Sequence, residues 1–200
     1  MRKKNKLIHG FGINDADYEV YRKDWVDGVR KNVWTCPFYR KWTDMIARCY
    51  SRRYLDRRPT YKGCTVCDEW KYFSNFRAWM SEQNWEGRHL DKDLLLQGNK
   101  VYSPETCVLV HPKVNSFLVN TDNHTGPYKV GVYWSKAGNK FMAYIRNPFT
   151  NKRENLGLYE TEDEGHSTWR ERKNLYAYML ADSEYVDCDL TRYALRNRYL

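Results

Sequence analysis

The chain has no apolar run approaching the ~20 residues of a membrane span, which predicts a protein without a transmembrane helix. Its basic start, Met1 to Lys6, is not followed by an apolar stretch, so no secretory signal is expected and a cytoplasmic setting follows. Cysteine is sparse and scattered. The six residues at 36, 49, 64, 67, 107 and 188 do not form the dense pattern of a disulfide framework. Cys64 and Cys67 have ligand-like spacing, and Cys49 and Cys107 could complete a zinc tetrahedron. No second close pair supports that site, and the competing reading is buried, reduced thiols that pack as small hydrophobes.

Acidic residues are also short in one place. Residues 1–60 hold fifteen Lys/Arg against seven Asp/Glu, or +8, whereas 61–120 balance at seven each and 121–200 hold twelve against eleven, or +1. A basic first third predicts a surface that faces a polyanion, because Lys and Arg gain by displacing counterions condensed on nucleic acid. General solubility is the alternative. Aromatics are abundant, with seventeen Tyr and eight Trp, and 200 residues suffice for one large domain or two small ones.

Residues 1–33 show no sustained period and read as an extended arm with one short helix at most. Trp42, Met45, Ile46 and Cys49 recur at three- and four-residue spacing and predict an amphipathic helix. Arg48, Arg52, Arg53, Arg57 and Arg58 cluster at its end and beyond. A helix C-terminus favours one or two cations, and five arginines in eleven residues point further, to phosphate contact. Cys67, Trp70, Phe73, Phe76, Trp79 and Met80 predict a second helix, entered after Gly63 and ending near Ser81, with its aromatic stripe in the core. The turn formers at 119–127 mark a linker, placed at 121–127. Beyond them the period becomes two. Lys129–Trp134, Lys140–Arg146 and Arg153–Tyr159 read as three antiparallel strands, followed by a helix capped by Thr161 with an apolar face of Trp169, Tyr176, Met179 and Leu180. The uncovered sheet face would carry Lys129, Tyr133, Lys140, Tyr144, Arg146 and Arg153. Residues 186–200 read as a basic helix or tail.

Between these parts, His89, Leu90, Asp91, Lys92 and Asp93, a Gly98-Asn99 loop, Tyr102 to Val110 and Asn115 read as strand, loop, strand and short helix. With Trp42, Met45, Arg48 to Tyr50, Val66, Cys67, Trp70, Phe73 and Phe76, this segment resembles the HNH (ββα-metal) nuclease family, in its phage-encoded, homing-endonuclease-like form. The resemblance covers about residues 34–118. It implies a Mg²⁺- or Mn²⁺-dependent DNA endonuclease, a hydrolase in which Asp91 and Asn115 hold the metal. It further implies that Lys92 occupies the general-base position and Thr106 the place of a middle Asn. In such a site one ion stabilises charge on the scissile phosphate and leaving oxygen. Lysine titrates near about 10.4, so Lys92 is no ready base at neutral pH. His89 and His111 are the candidate substitutes, and an ion-pair cluster of Asp91, Lys92 and Asp93 on a retained scaffold is the alternative.

The residues Gly131 to Tyr133, Phe141, Ala143 to Arg146, Leu156, Gly157, Tyr159, Thr161 and Glu164 resemble the APETALA2/ethylene-response-factor DNA-binding domain over about 128–180. That resemblance implies a three-stranded sheet laid in the major groove, with Arg146 and Lys140 at contact positions. Tyr133 and Asn155 stand where plant members carry a reading arginine and a tryptophan. The expected architecture is α+β. A ββα-metal-like segment with flanking helices (34–120) precedes a three-stranded antiparallel sheet packed on one helix (128–185). The expected partner is double-stranded DNA, in the host cytoplasm if the protein is phage-encoded. The expected activity is nicking or cutting. Two alternatives stand beside it: a non-cleaving DNA-binding regulator or antagonist of host machinery, and a protein–protein module that binds a host protein.

Overall fold

A computed structural model describes residues 7–122 and 126–199. The chain is mixed α and β, in the order β1 (Tyr21–Val26), β2 (Val29–Thr35), α1 (Pro37–Tyr50), α2 (Arg52–Arg57), β3 (Thr65–Val66), α3 (Phe73–Ser81), β4 (His89–Asp91), β5 (Val101–Tyr102) and β6 (Val108–Val110), then α4 (Pro112–Asp122), β7 (Val132–Ser135), β8 (Lys140–Arg146), β9 (Arg153–Tyr159), α5 (Glu162–Ala181) and α6 (Asp189–Asn197). It divides into two compact units: Met1–Glu86 with Leu96–Leu109, and Gly87–Leu95 with Val110–Leu200. The division cuts through residues 34–120 instead of following the 121–127 run. No helix among the described residues is long and apolar enough to cross a membrane.

The first unit is built on α1, whose Trp42, Met45, Ile46 and Cys49 are buried as their spacing requires. The Trp42 indole N–H donates to the Trp70 carbonyl at 2.7 Å, giving a fully buried polar group its partner. Phe73, Phe76 and Met80 of α3 complete this core. The helix expected after Gly63 begins only at Phe73. Before it, β3 pairs in parallel with β5, and the Thr65 and Cys67 N–H groups donate to the Lys100 and Tyr102 carbonyls. Glu69–Lys71 then forms a 3-10 turn. The demand of a distant strand overrides the helical period there.

The extended arm expected over 1–33 is corrected as well. Among its described residues, β1 pairs antiparallel with β2. Asp27 (φ 53°) and Gly28 (φ 72°) form the two-residue turn, both left-handed, as a tight hairpin needs. Residues 1–6 lie outside the described residues.

The second unit contains the three-stranded antiparallel sheet in the order β7-β8-β9, covered on one face by α5. Val132, Ala143 and Ile145 are buried toward the helix, with Trp169, Tyr176, Ala177 and Leu180 opposite them. Met179, expected on that face, is exposed, because it falls outside the arc that Tyr176 and Leu180 share. Thr161 and Glu164 form a reciprocal capping box at the start of α5, a device worth about 1 kcal/mol. The first strand begins at Val132 and not at Lys129. Gly131 is left-handed (φ 80°) and lies under the Trp169 indole, where a Cβ would meet Trp169 Cδ1 at 2.0 Å.

α4 runs to Asp122, so residues 119–122 of the expected linker are helical, and 123–125 lie outside the described residues. Residues 189–197 form α6, with Thr191 and Leu195 buried. Of the two expected forms, helix or tail, residues 189–197 take the helix, and Arg196 is paired with Asp182; Leu200 lies outside the described residues.

Gly131→Ala is expected to lower stability by about 3 kcal/mol, since it combines a left-handed backbone with overpacking. A shift of the urea midpoint at unchanged slope checks this.

Candidate nucleic-acid interface

The residues expected to form a metal centre belong to the second unit. β4 pairs with the strand that ends at Val110, and Val110 leads into α4. The expected second strand, Tyr102 to Val110, is split. β5 pairs with β3, and a turn closed by Thr106 separates it from β6; the Thr106 hydroxyl donates to the Val101 carbonyl at 2.9 Å. Thr106 thus serves its own turn.

Asp91 braces the loop after β4. Its Oδ1 accepts from the Asp93 N–H at 2.8 Å and the Leu94 N–H at 2.7 Å. Burial pushes its carboxyl above the usual carboxylate range, an effect those two hydrogen bonds oppose. Lys92 is buried, at 6% exposure, and its Nζ donates to both carboxylate oxygens of Asp93 at 2.7 Å. The ammonium at the expected general-base position is thus clamped by the next side chain. Arg198, just past α6, donates to the Asp93 carbonyl at 2.9 Å, so the loop is held from outside too.

His89 is exposed at the start of β4. His111 is half-buried; its Nδ1 accepts from the Lys113 N–H at 3.2 Å, and its ring lies 4.8 Å from that of Tyr185. Burial lowers its pKa, and the cations Arg88 and Lys113 lower it further. Asn115 lies half-buried on α4, one turn after His111.

Of the two expected ligands, Asp91 already commits one oxygen to two backbone N–H groups, and Asn115 offers only a neutral amide oxygen. Among the described residues, no group of three or more His, Cys, Asp or Glu is arranged to hold a metal. Cys49, Cys64 and Cys107 are buried thiols and Cys67 is half-buried.

The open face of the sheet carries different chemistry. Cross-strand register puts Tyr133 opposite Met142, Tyr144 opposite Asn155 and Arg146 opposite Arg153, all away from α5. The Arg153 guanidinium lies 3.8 Å from the Tyr144 ring centroid and 5.1 Å from that of Tyr133, and the two rings meet edge to face at 5.4 Å. Arg146 donates to the Asn151 side chain at 3.0 Å and to its carbonyl at 3.2 Å. Both arginines are exposed, and neither is paired with a carboxylate among the described residues. Lys140 is paired with Glu160. Lys129 precedes the sheet and pairs with Asp163 near the start of α5.

In the first unit, Arg52, Arg53, Arg57 and Arg58 are exposed along and just after α2. Arg48 differs: it is half-buried, bonded to the Tyr102 side chain and 6.0 Å from the Tyr61 ring centroid. The hairpin is a feature that the sequence reading missed. One of its faces gathers Tyr21, Lys23, Trp25 and Arg30 without an acid, and Trp25 is 71% exposed. The signal was Asp27-Gly28 between two stretches rich in Trp, Val and Tyr.

Comparison with known proteins gives no match to a family model, to a curated protein or to a solved structure.

Asp91→Ala strands two loop N–H groups and is expected to cost about 1–3 kcal/mol. Asp91→Asn keeps the Oδ1 acceptor and is expected to stay within about 0.5 kcal/mol of wild type. Because the folded-state pKa of Asp91 is raised, its contribution is most favourable below 3.8 and is lost as pH rises through the folded value. The Asn variant should therefore gain on wild type as pH rises through that window, measured by urea midpoints at stepped pH.

Proposed function

We propose that this protein binds double-stranded DNA through the open face of its three-stranded sheet and does not cut it. The observation that carries the reading is the pair of exposed guanidiniums, Arg153 against the Tyr133 and Tyr144 rings and Arg146 held by Asn151, with no carboxylate partner among the described residues. Guanidinium groups bind phosphate through charge-assisted hydrogen bonds, and a β-surface fits the major groove. The ring contacts hold Arg153 in place, so less conformational freedom is lost when it meets a phosphate.

Two features of the first unit support the same reading. The α2 arginines are exposed, and the β1–β2 hairpin is a two-stranded ribbon with an acid-free cationic and aromatic face. Such a ribbon fits the ~12 Å major groove.

The chemistry around β4 supports a reading without cutting. The ammonium at the base position is held by Asp93, and Asp91 works as a loop brace. A strand–helix scaffold of this kind can position a cation near a phosphate without activating water.

Duplex affinity should fall with salt along a straight log–log line. Arg153→Gln should weaken binding about three- to tenfold and lower that slope by about 1. Lys23→Gln with Arg30→Gln should lower it further. Unchanged affinity and slope in Arg153→Gln would remove the sheet from the interface. Conversion of supercoiled plasmid to open circles with Mg²⁺ or Mn²⁺, abolished in Asp91→Asn, would restore the endonuclease reading.

A further inference from the structure

The β1–β2 hairpin is a ribbon whose two faces both meet solvent: all six residues of β1 and the first six of β2 are exposed. A two-stranded ribbon is marginally stable by itself in water and gains by covering a face. Alternation along β1 puts Tyr21, Lys23 and Trp25 on one face, with Arg30 opposite Trp25 on β2. We infer that this face binds a single-stranded nucleic acid, with unpaired bases stacked on Tyr21 and Trp25 and the strand's phosphates met by Lys23 and Arg30.

The charge on that face is of one sign. Lys23 lies 5.8 Å from the Tyr21 ring centroid, and neither Lys23 nor Arg30 is paired with a carboxylate among the described residues. The two acids of the hairpin are elsewhere. Asp24 alternates to the opposite face, and Asp27 sits in the turn, paired with Lys31 at 3.3 Å. The Asp24 carboxylate accepts from the Trp25 N–H at 2.8 Å. A polyanion therefore meets two cations that no acid on their own face offsets.

The rings decide between an unpaired strand and a duplex. Trp25 is 71% exposed and Tyr21 46%, and neither stacks on another ring among the described residues. A duplex groove presents base edges. An open ring is matched by the face of an unstacked base, and stacking of that kind tolerates any sequence. Tyr21 and Trp25 stand roughly 13 Å apart along β1 at ~3.3 Å per residue, with Lys23 between them. That order of ring, cation and ring suits successive nucleotides joined by phosphate. The left-handed turn at Asp27 and Gly28 pins the register, so the two rings stay on one face. The cations meet phosphate in either form of nucleic acid; the rings are what a single strand uses in addition.

This site is independent of duplex binding by the three-stranded sheet, which Arg153→Gln reads by itself. Fluorescence anisotropy of the full chain with labelled oligo(dT), and with an abasic strand of the same length and phosphate count, isolates the bases. Oligo(dT) should bind at least tenfold more tightly than the abasic strand. Trp25→Val keeps a strand-forming residue without the ring. It should weaken oligo(dT) about tenfold and leave the abasic strand unchanged, and Trp25→Phe should restore most of the loss. Arg153→Gln should weaken duplex binding and leave the preference for bases intact. Oligo(U) bound as tightly as oligo(dT) would assign single strands of either sugar, and weaker oligo(U) would assign DNA. Equal binding of oligo(dT) and the abasic strand, a Trp25→Val protein that keeps the full preference, or no binding of either strand at low salt would overturn the inference, whatever the outcome with duplex.

Discussion

The two-residue alternation of β7, β8 and β9 is the constraint on which the second unit rests. Once Val132, Ala143 and Ile145 are committed to α5, the pleat sends Tyr133, Tyr144, Arg146 and Arg153 to the other side. A slip of one residue would bury the arginines and expose the core, so register and surface chemistry are fixed together. The Trp169 indole seated over Gly131 and the capping box at Thr161 set where the helix meets the sheet.

Around β4, electrostatics has been turned inward. Asp91, Lys92, Asp93 and Arg198 satisfy one another or the backbone of the same loop. These groups hold the shape of the loop they belong to. The open sheet face differs: there the aromatic rings hold Arg153 and leave its hydrogen-bonding edge available.

The legible parts of the sequence were those governed by local period. The strands at 140–146 and 153–159, the Thr161 cap and the buried stripes of α1 and α3 follow from spacing alone. What spacing could not reveal was tertiary. The pairing of Thr65 and Val66 with Val101 and Tyr102 delayed α3, and the seating of Trp169 on Gly131 delayed β7. The same holds for the expected site. Asp91, Lys92 and Asp93 were identifiable as a cluster, but only geometry assigns the clamp to Lys92 and Asp93. The hairpin was readable from Asp27-Gly28 and was passed over because its strands bury nothing.

The division of the chain has a covalent consequence. Residues 87–95 belong with 110–200, while 96–109 belong with 1–86, so the backbone passes from one unit to the other three times. No single scission releases either unit whole, and a fragment starting at residue 128 leaves behind the β4 loop and α4. The two units are therefore made as one polypeptide and cannot be separated by a single cut.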